Sequence, residues 1–271
     1  MADHLSRRHF VQAASGLGVL GAPHLSAPLL EQIPGLASEA AAEIFPRQDP
    51  ALAKEVVDVA HRDPKRVREL VEGQPALARA SIDWGFGDWE SAIDAASHVG
   101  RRDIAELLLA HGARPTIFSA AMMGQLEVVK GFVTAVPGVQ RIRGPHGITL
   151  QAHARAGGTD AALVLEYLKT LGDADTPLPS SPILPADRDS VVGRYEFGNG
   201  PRDYFTVDVQ NDRLGIDRPG SPARRLLIHT GNLVFFPTGV FAVKIAFSRQ
   251  ATVVTQLTVA DGVAVVTAKR V

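Results

Sequence analysis

The chain contains no cysteine. Disulfides, thiolate nucleophiles and cysteine-ligated zinc are therefore excluded. No sign of charge is in excess: 28 basic residues face 29 acidic ones, for a net charge of −1. That balance gives no electrostatic reason to expect nucleic acid or an anionic membrane as a partner. Beyond the N-terminus no apolar run approaches the ~20 residues that a membrane helix needs. Catalytic signatures are missing as well: there is no H-E-x-x-H, no G-x-S-x-G, no S-x-x-K and no Walker sequence. The nine histidines are scattered, and no close histidine–carboxylate spacing reads as a zinc site. No metal, no cofactor and no catalytic residue is expected on these grounds, and the carboxylates are expected to be solvated on helix faces and turns. What is present is ordinary globular composition: 45% hydrophobic residues exclude wholesale disorder.

The chain opens with Ser6-Arg7-Arg8-His9-Phe10, then a weakly apolar, small-residue stretch from Ala13 to Ala22. A charged pair, a short apolar region and small residues form the layout of an export signal. Arg7 and Arg8 followed by Phe10 resemble the bacterial twin-arginine signal. That resemblance implies export of a folded protein to the periplasm or beyond, with residues 1–42 as signal and disordered segment and no stable membrane insertion once the signal is removed. Gly16-Leu17-Gly18-Val19-Leu20-Gly21 fits G-x-G-x-x-G, but no strand precedes it, so a dinucleotide site is not expected.

From residue 50 to 171 a helix-turn-helix pattern recurs. Gly100 to Ala113 carries Ile104, Leu107 and Leu108 at i, i+3, i+4, one apolar face, and Gly112 closes the helix. Ala120 to Val133 repeats the pattern, Gly147 to Leu171 repeats it loosely, and Val67 to Val71 matches Ile104 to Leu108 at an offset of 37. Asp63-Pro64 supplies an N-cap and an N1 proline. With Ser91 to Ala96 where ankyrin repeats carry T-P-L-H-x-A, this region resembles the ankyrin family. The resemblance implies about four stacked helix pairs, a concave face built from fingers and inner helices, and recognition of another protein without catalysis. Both tryptophans, Trp84 and Trp89, flank Phe86 in the segment joining the first two pairs and are candidate anchors for a partner; an inward-folded pair sealing the repeats is the other outcome. Asp94 and His98 are placed on the first helix of their repeat. Arg141, Arg143 and His146 form a basic finger around Gly144-Pro145 suited to an acidic ligand or simply to solvent.

Residues 172–189 hold four prolines and read as a semi-stiff linker. After it, short β-rich runs recur from Val191 to Ala268, with turn signals at Asn211-Asp212 and Asp261-Gly262. The opening Gly193-Arg194-Tyr195 and closing Ala268-Lys269-Arg270 resemble a small β-domain appended to bacterial serine hydrolases. Its interior is expected to be filled by its own side chains.

The expected fold class is α+β multidomain: an α-solenoid of about four ankyrin-type helix pairs (50–171), the linker, then a small antiparallel β-barrel or sandwich (190–271). The expected function is an exported scaffold that recognises an unidentified protein. The alternatives are small-ligand or glycan binding by the β-domain, and an inhibitor or immunity protein that masks an enzyme.

Overall fold

The structure is a computed structural model describing residues 47–271. The export readings at Arg7, Arg8 and the glycine-rich stretch after them lie outside the described residues. Helix starts follow the expected chemistry. Asp49 caps α1 (Pro50–Val59) by accepting from the Ala51 amide at 2.8 Å, and Asp63 caps α2 (Pro64–Gly73) by accepting from Arg66 at 3.0 Å. Ser91 and Thr116 cap α3 (Ala92–His98) and α5 (Ile117–Met122). Their partner helices are α4 (Arg102–Ala110) and α6 (Leu126–Ala135), and a last pair joins α7 (Leu150–Ala156) to α8 (Ala162–Leu171). The first helices of successive pairs, α1, α3, α5 and α7, pack in a row, each against the next. Small residues permit that approach: Ala92, Ala95, Ala96, Ala120 and Ala121 are essentially fully buried. Gly100, at φ +74°, turns the chain between α3 and α4 so close to its neighbour that a Cβ would stand 2.3 Å from the Ala156 carbonyl oxygen. Among the described residues no helix is long and apolar enough to cross a membrane.

A finger projects between the first two helix pairs. Its arms, β1 (Ser81–Asp83) and β2 (Trp89–Ser91), pair antiparallel with Ile82 opposite Glu90, and Trp84–Asp88 forms its tip. A short helix α9 (Pro185–Ser190) then leads into β3 (Gly193–Glu196), β4 (Tyr204–Gln210), β5 (Arg213–Asp217), β6 (Arg225–Gly231), β7 (Val234–Pro237), β8 (Lys244–Gln250), β9 (Val253–Asp261) and β10 (Ala264–Arg270). These eight close into an antiparallel barrel, β10 pairing back onto β3 with Lys269 opposite Glu196.

The expected fold class is corrected here. The strands form one closed eight-stranded barrel, and the molecule is not an α-solenoid followed by a small separate β-domain. Helices and barrel belong to one compact unit, Gln48–Val271. Closure removes both sheet edges, so every strand finds two partners. The barrel interior is filled by Tyr195, Phe205, Ile216, Phe235, Ile245, Phe247 and Leu257, all buried. Phe86 from the finger packs on this core, and Ala223 from the barrel packs on the core of the first helix pairs.

Candidate metal centre

The chain's chemistry concentrates where the finger meets the first helix row. His61 follows α1, Glu90 sits on β2, His98 ends α3, and His146 lies in a second finger between α6 and α7. One ligand atom from each of these four lies within 4.8 Å of all the others. The His98 Nε2 atom is 2.9 Å from Glu90 Oε1 and 3.1 Å from His61 Nε2. The His61 Nε2 atom is 3.5 Å from Glu90 Oε2, and His146 Nε2 is 3.4 Å from Glu90 Oε1. Four ligands about 2.0–2.1 Å from a tetrahedral cation are separated by roughly 3.3 Å. The observed separations bracket that value.

The backs of the rings are tied down. His61 Nδ1 lies 3.0 Å from the Asp58 carbonyl oxygen and 3.1 Å from that of Val57, so Nδ1 carries a proton and donates it. His146 Nδ1 donates to Asp88 Oδ2 at 2.7 Å. With Nδ1 protonated in each, the Nε2 lone pairs point into the cluster unless they too take up protons. This is how metal-ligating imidazoles are oriented: a backbone carbonyl or carboxylate behind the ring fixes the tautomer and raises its basicity. His146 adopts φ +60°, a left-handed conformation that a non-glycine residue keeps only when its surroundings enforce it. Here the enforcing contacts are both from Asp88, which accepts the His146 backbone N–H at 2.9 Å as well as the ring.

Electrostatics point the same way. Glu90 has no solvent-exposed side-chain surface. Burial alone would raise its carboxyl, but hydrogen bonds from His146, His61 and His98 outweigh that and hold it well below the usual carboxylate range. Trp84 adds a further donor, its indole N–H 2.6 Å from Glu90 Oε2. Burial works against a charged His146, yet its bonds to Asp88 and Glu90 push the imidazole up to about 9. His61 is likewise raised against its burial, by Glu90. Asp88 is drawn low by His146 and Arg225 despite its burial. The cluster is thus a buried anionic centre demanding positive charge. Protons on the imidazoles supply it in one state; a divalent cation held by the same nitrogens and carboxylate supplies it in another.

Asp88 also joins the centre to the barrel, since Arg225 on β6 donates both to its carboxylate and to the Thr238 carbonyl oxygen. His153, near His98, is fully buried, and among the described residues neither ring nitrogen has a hydrogen-bond partner. Burial, with His98 nearby, lowers its imidazole to about 3 and keeps it neutral.

The structure distributes the nominated partner-contact residues unevenly. His98 and His146 enter the cluster, and Trp84 is buried against it. Asp94 is also buried; it accepts from the Ser91 and Thr116 hydroxyls, each at 2.6 Å, and serves the helix caps. Phe86 is half-buried on the barrel. Arg141 pairs with Asp173 at 3.3 Å, and Arg143 donates to the carbonyls of Gly147 and Thr176. Trp89 alone of the two tryptophans stands out, with 65% of its surface exposed. The expectation of solvated carboxylates fails at Asp88 and Glu90, because the finger folds inward and its acids find donors there, and at Asp94, which the Ser91 and Thr116 hydroxyls satisfy. His61, Asp88 and Glu90 were not singled out from the sequence. One signal was available: the offset of 37 that aligns Val67 with Ile104 also aligns His61 with His98.

Comparison with protein-family models gives no match, and comparison with curated proteins gives none either.

Proposed function

We propose that the protein binds a divalent first-row transition-metal ion, of the zinc class, through His61, Glu90, His98 and His146. The observation that carries this reading is the convergence of three histidine side chains and one buried carboxylate, with one ligand atom of each within 4.8 Å of all the others and two of the rings backed by hydrogen-bond acceptors. Nitrogen and oxygen donors without sulfur suit zinc, cobalt, nickel or copper better than calcium or magnesium, which take oxygen cages. Four protein ligands are the complement of a structural site; catalytic zinc characteristically keeps three and an open position. The ion's role in this reading is to lock the two fingers against the helix row, and no reaction is assigned to it.

The test is titration of the chelator-stripped full chain with Zn(II) and Co(II). One ion per chain is expected, with the intense visible absorption of four-coordinate Co(II). Binding that persists undiminished in both Glu90→Gln and His98→Ala would sink the reading.

Recognition of another protein is a second reading, favoured by Trp89, the exposed aromatic one residue from Glu90. A Trp89→Ala variant that folds normally but no longer retains a partner in native extracts supports it. Unchanged retention counts against it.

A further inference from the structure

In an antiparallel barrel alternate connections gather at one end. The β3–β4, β5–β6, β7–β8 and β9–β10 connections form a single rim, and it is this rim that meets the first finger. The finger does not seal the mouth completely. A cavity of about 660 Å³ remains between them, lined among others by Phe86, Phe205, Val259, Arg202, Arg218 and Ser221. That volume falls within the range of small-molecule sites, and barrel mouths are a recurrent place for them.

Two features set this cavity apart from an accidental crevice. The first is Phe86. It holds φ +62°, a left-handed conformation that is a true outlier for a bulky aromatic. The strained backbone lays its ring nearly parallel to Phe205, with centroids 6.5 Å apart and planes at 23°. Phe86 stays half-exposed and gives the cavity an apolar floor, with the buried Phe205 stacked against it. The second is charge. Arg202 and Arg218 both line the cavity, and among the described residues neither takes part in an ion pair. Arg218 lies over the Phe197 ring, its guanidinium 5.1 Å from the centroid. The carboxylate of Asp83, also at the edge, is engaged by the amides of Gly85 and Gly87 at 2.8 and 3.0 Å. An apolar floor beside two guanidiniums that pair with no carboxylate among the described residues is complementary to one kind of molecule.

We propose that the barrel mouth binds a small organic anion with a flat apolar body, an aromatic carboxylate in chemical class. The ring lies on Phe86, which Phe205 backs, and the carboxylate takes charge-assisted hydrogen bonds from Arg202 and Arg218. An inorganic anion would waste the floor; an uncharged aromatic would leave the guanidiniums without a partner. The site does not depend on the metal reading, because none of its contacts involves the four ligand residues.

Isothermal titration of the full chain with 2-naphthoate and with its uncharged isostere 2-naphthamide tests it. Saturable binding of one naphthoate per chain is expected, at least tenfold tighter than the amide. The double variant Arg202→Gln, Arg218→Gln changes only rim residues; it should bring naphthoate down to the level of naphthamide and leave naphthamide unchanged. Phe86→Ala should weaken both ligands, and where that variant does not fold the arginine pair still decides. Equal affinity for the two ligands in the native chain overturns the proposal. So does a preference for the anion that survives loss of both arginines.

Discussion

At the residue scale Asp88 has the heaviest duties for its size. Almost fully buried, its carboxylate faces the His146 ring, the His146 backbone N–H and the Arg225 guanidinium together. Asp88→Asn keeps the shape but removes the charge that compensates Arg225. Breaking one side of a buried pair typically costs about 3–5 kcal/mol, and a loss of that order is expected in denaturant titrations. Loss of the acceptor behind a metal-ligating ring typically weakens affinity about 10–100-fold. Chelator competition should show a drop of that size for Zn(II); an unaltered affinity would mean that Asp88 does not orient His146. His153 makes the opposite case. Its imidazole is held neutral down to about 3 in the folded chain, whereas an unfolded histidine titrates near 6.5. Below pH 6.5 the unfolded state binds the extra proton, so stability falls with falling pH until both states are protonated. The slope is about 1.4 kcal/mol per pH unit. In His153→Leu this contribution should vanish, so urea midpoints between pH 6.5 and 4 should fall less steeply than in the native chain. Parallel pH profiles would refute it.

At the element scale, tight turns decide which helices can stack. Gly100→Ala forces a Cβ into the Ala156 carbonyl and a non-glycine residue into the left-handed region. The backbone term alone is worth about 1–2 kcal/mol, and a total loss above about 2 is expected by chemical denaturation. Gly131→Ala is the internal control. It lies within α6 with nothing within 4 Å of the new Cβ, so the same substitution should stabilise by about 0.5–1 kcal/mol. If the two variants behaved alike, the close approach at Gly100 would not matter. These elements are also where the sequence speaks most clearly. Ile104, Leu107 and Leu108 announce a helix because periodicity is local, and the Asp261-Gly262 hairpin lies where its turn chemistry puts it. Strand β5 leaves little local signal because Gly215 breaks an already short run, although Asn211 and Asp212, both at positive φ, mark the hairpin before it. A barrel is one of the two architectures that the short strands suggest, but the choice between barrel and sandwich is not legible in the sequence, since β10 pairs with β3 across most of the domain and no local pattern encodes that closure. The His61, Glu90, His98 and His146 set is hidden for the same reason. Its members come together only when helix pairs stack, and a search for close ligand spacing within one segment passes over them.

At the scale of the whole molecule the question is whether helices and barrel unfold together. Among the links across the seam between them, Phe86 packs on the barrel core, Ala223 packs back on the core of the first helix pairs, and Arg225 reaches from β6 to Asp88. A ligand that binds only the folded state stabilises by RT ln(1 + [L]/Kd), about 2.7 kcal/mol at a hundredfold excess over Kd. The metal ligands all lie in the helical half, at 61, 90, 98 and 146, so any protection of the barrel by the ion must travel through the seam. Hydrogen exchange read segment by segment should show Zn(II) slowing both the helices and strands β3–β10 in the native chain. In Arg225→Met the polar link is gone while Phe86 remains, and barrel protection should fall more than helix protection. Protection confined to residues 48–171 in the native chain would show the two halves to be energetically separate, and the Asp88–Arg225 pair to be a contact without coupling. The reverse pattern, with equal protection in both proteins, would assign the coupling to the apolar contacts of Phe86 and Ala223. That outcome would also tie the apolar seam, and not the buried ion pair, to communication between the metal centre and the barrel mouth.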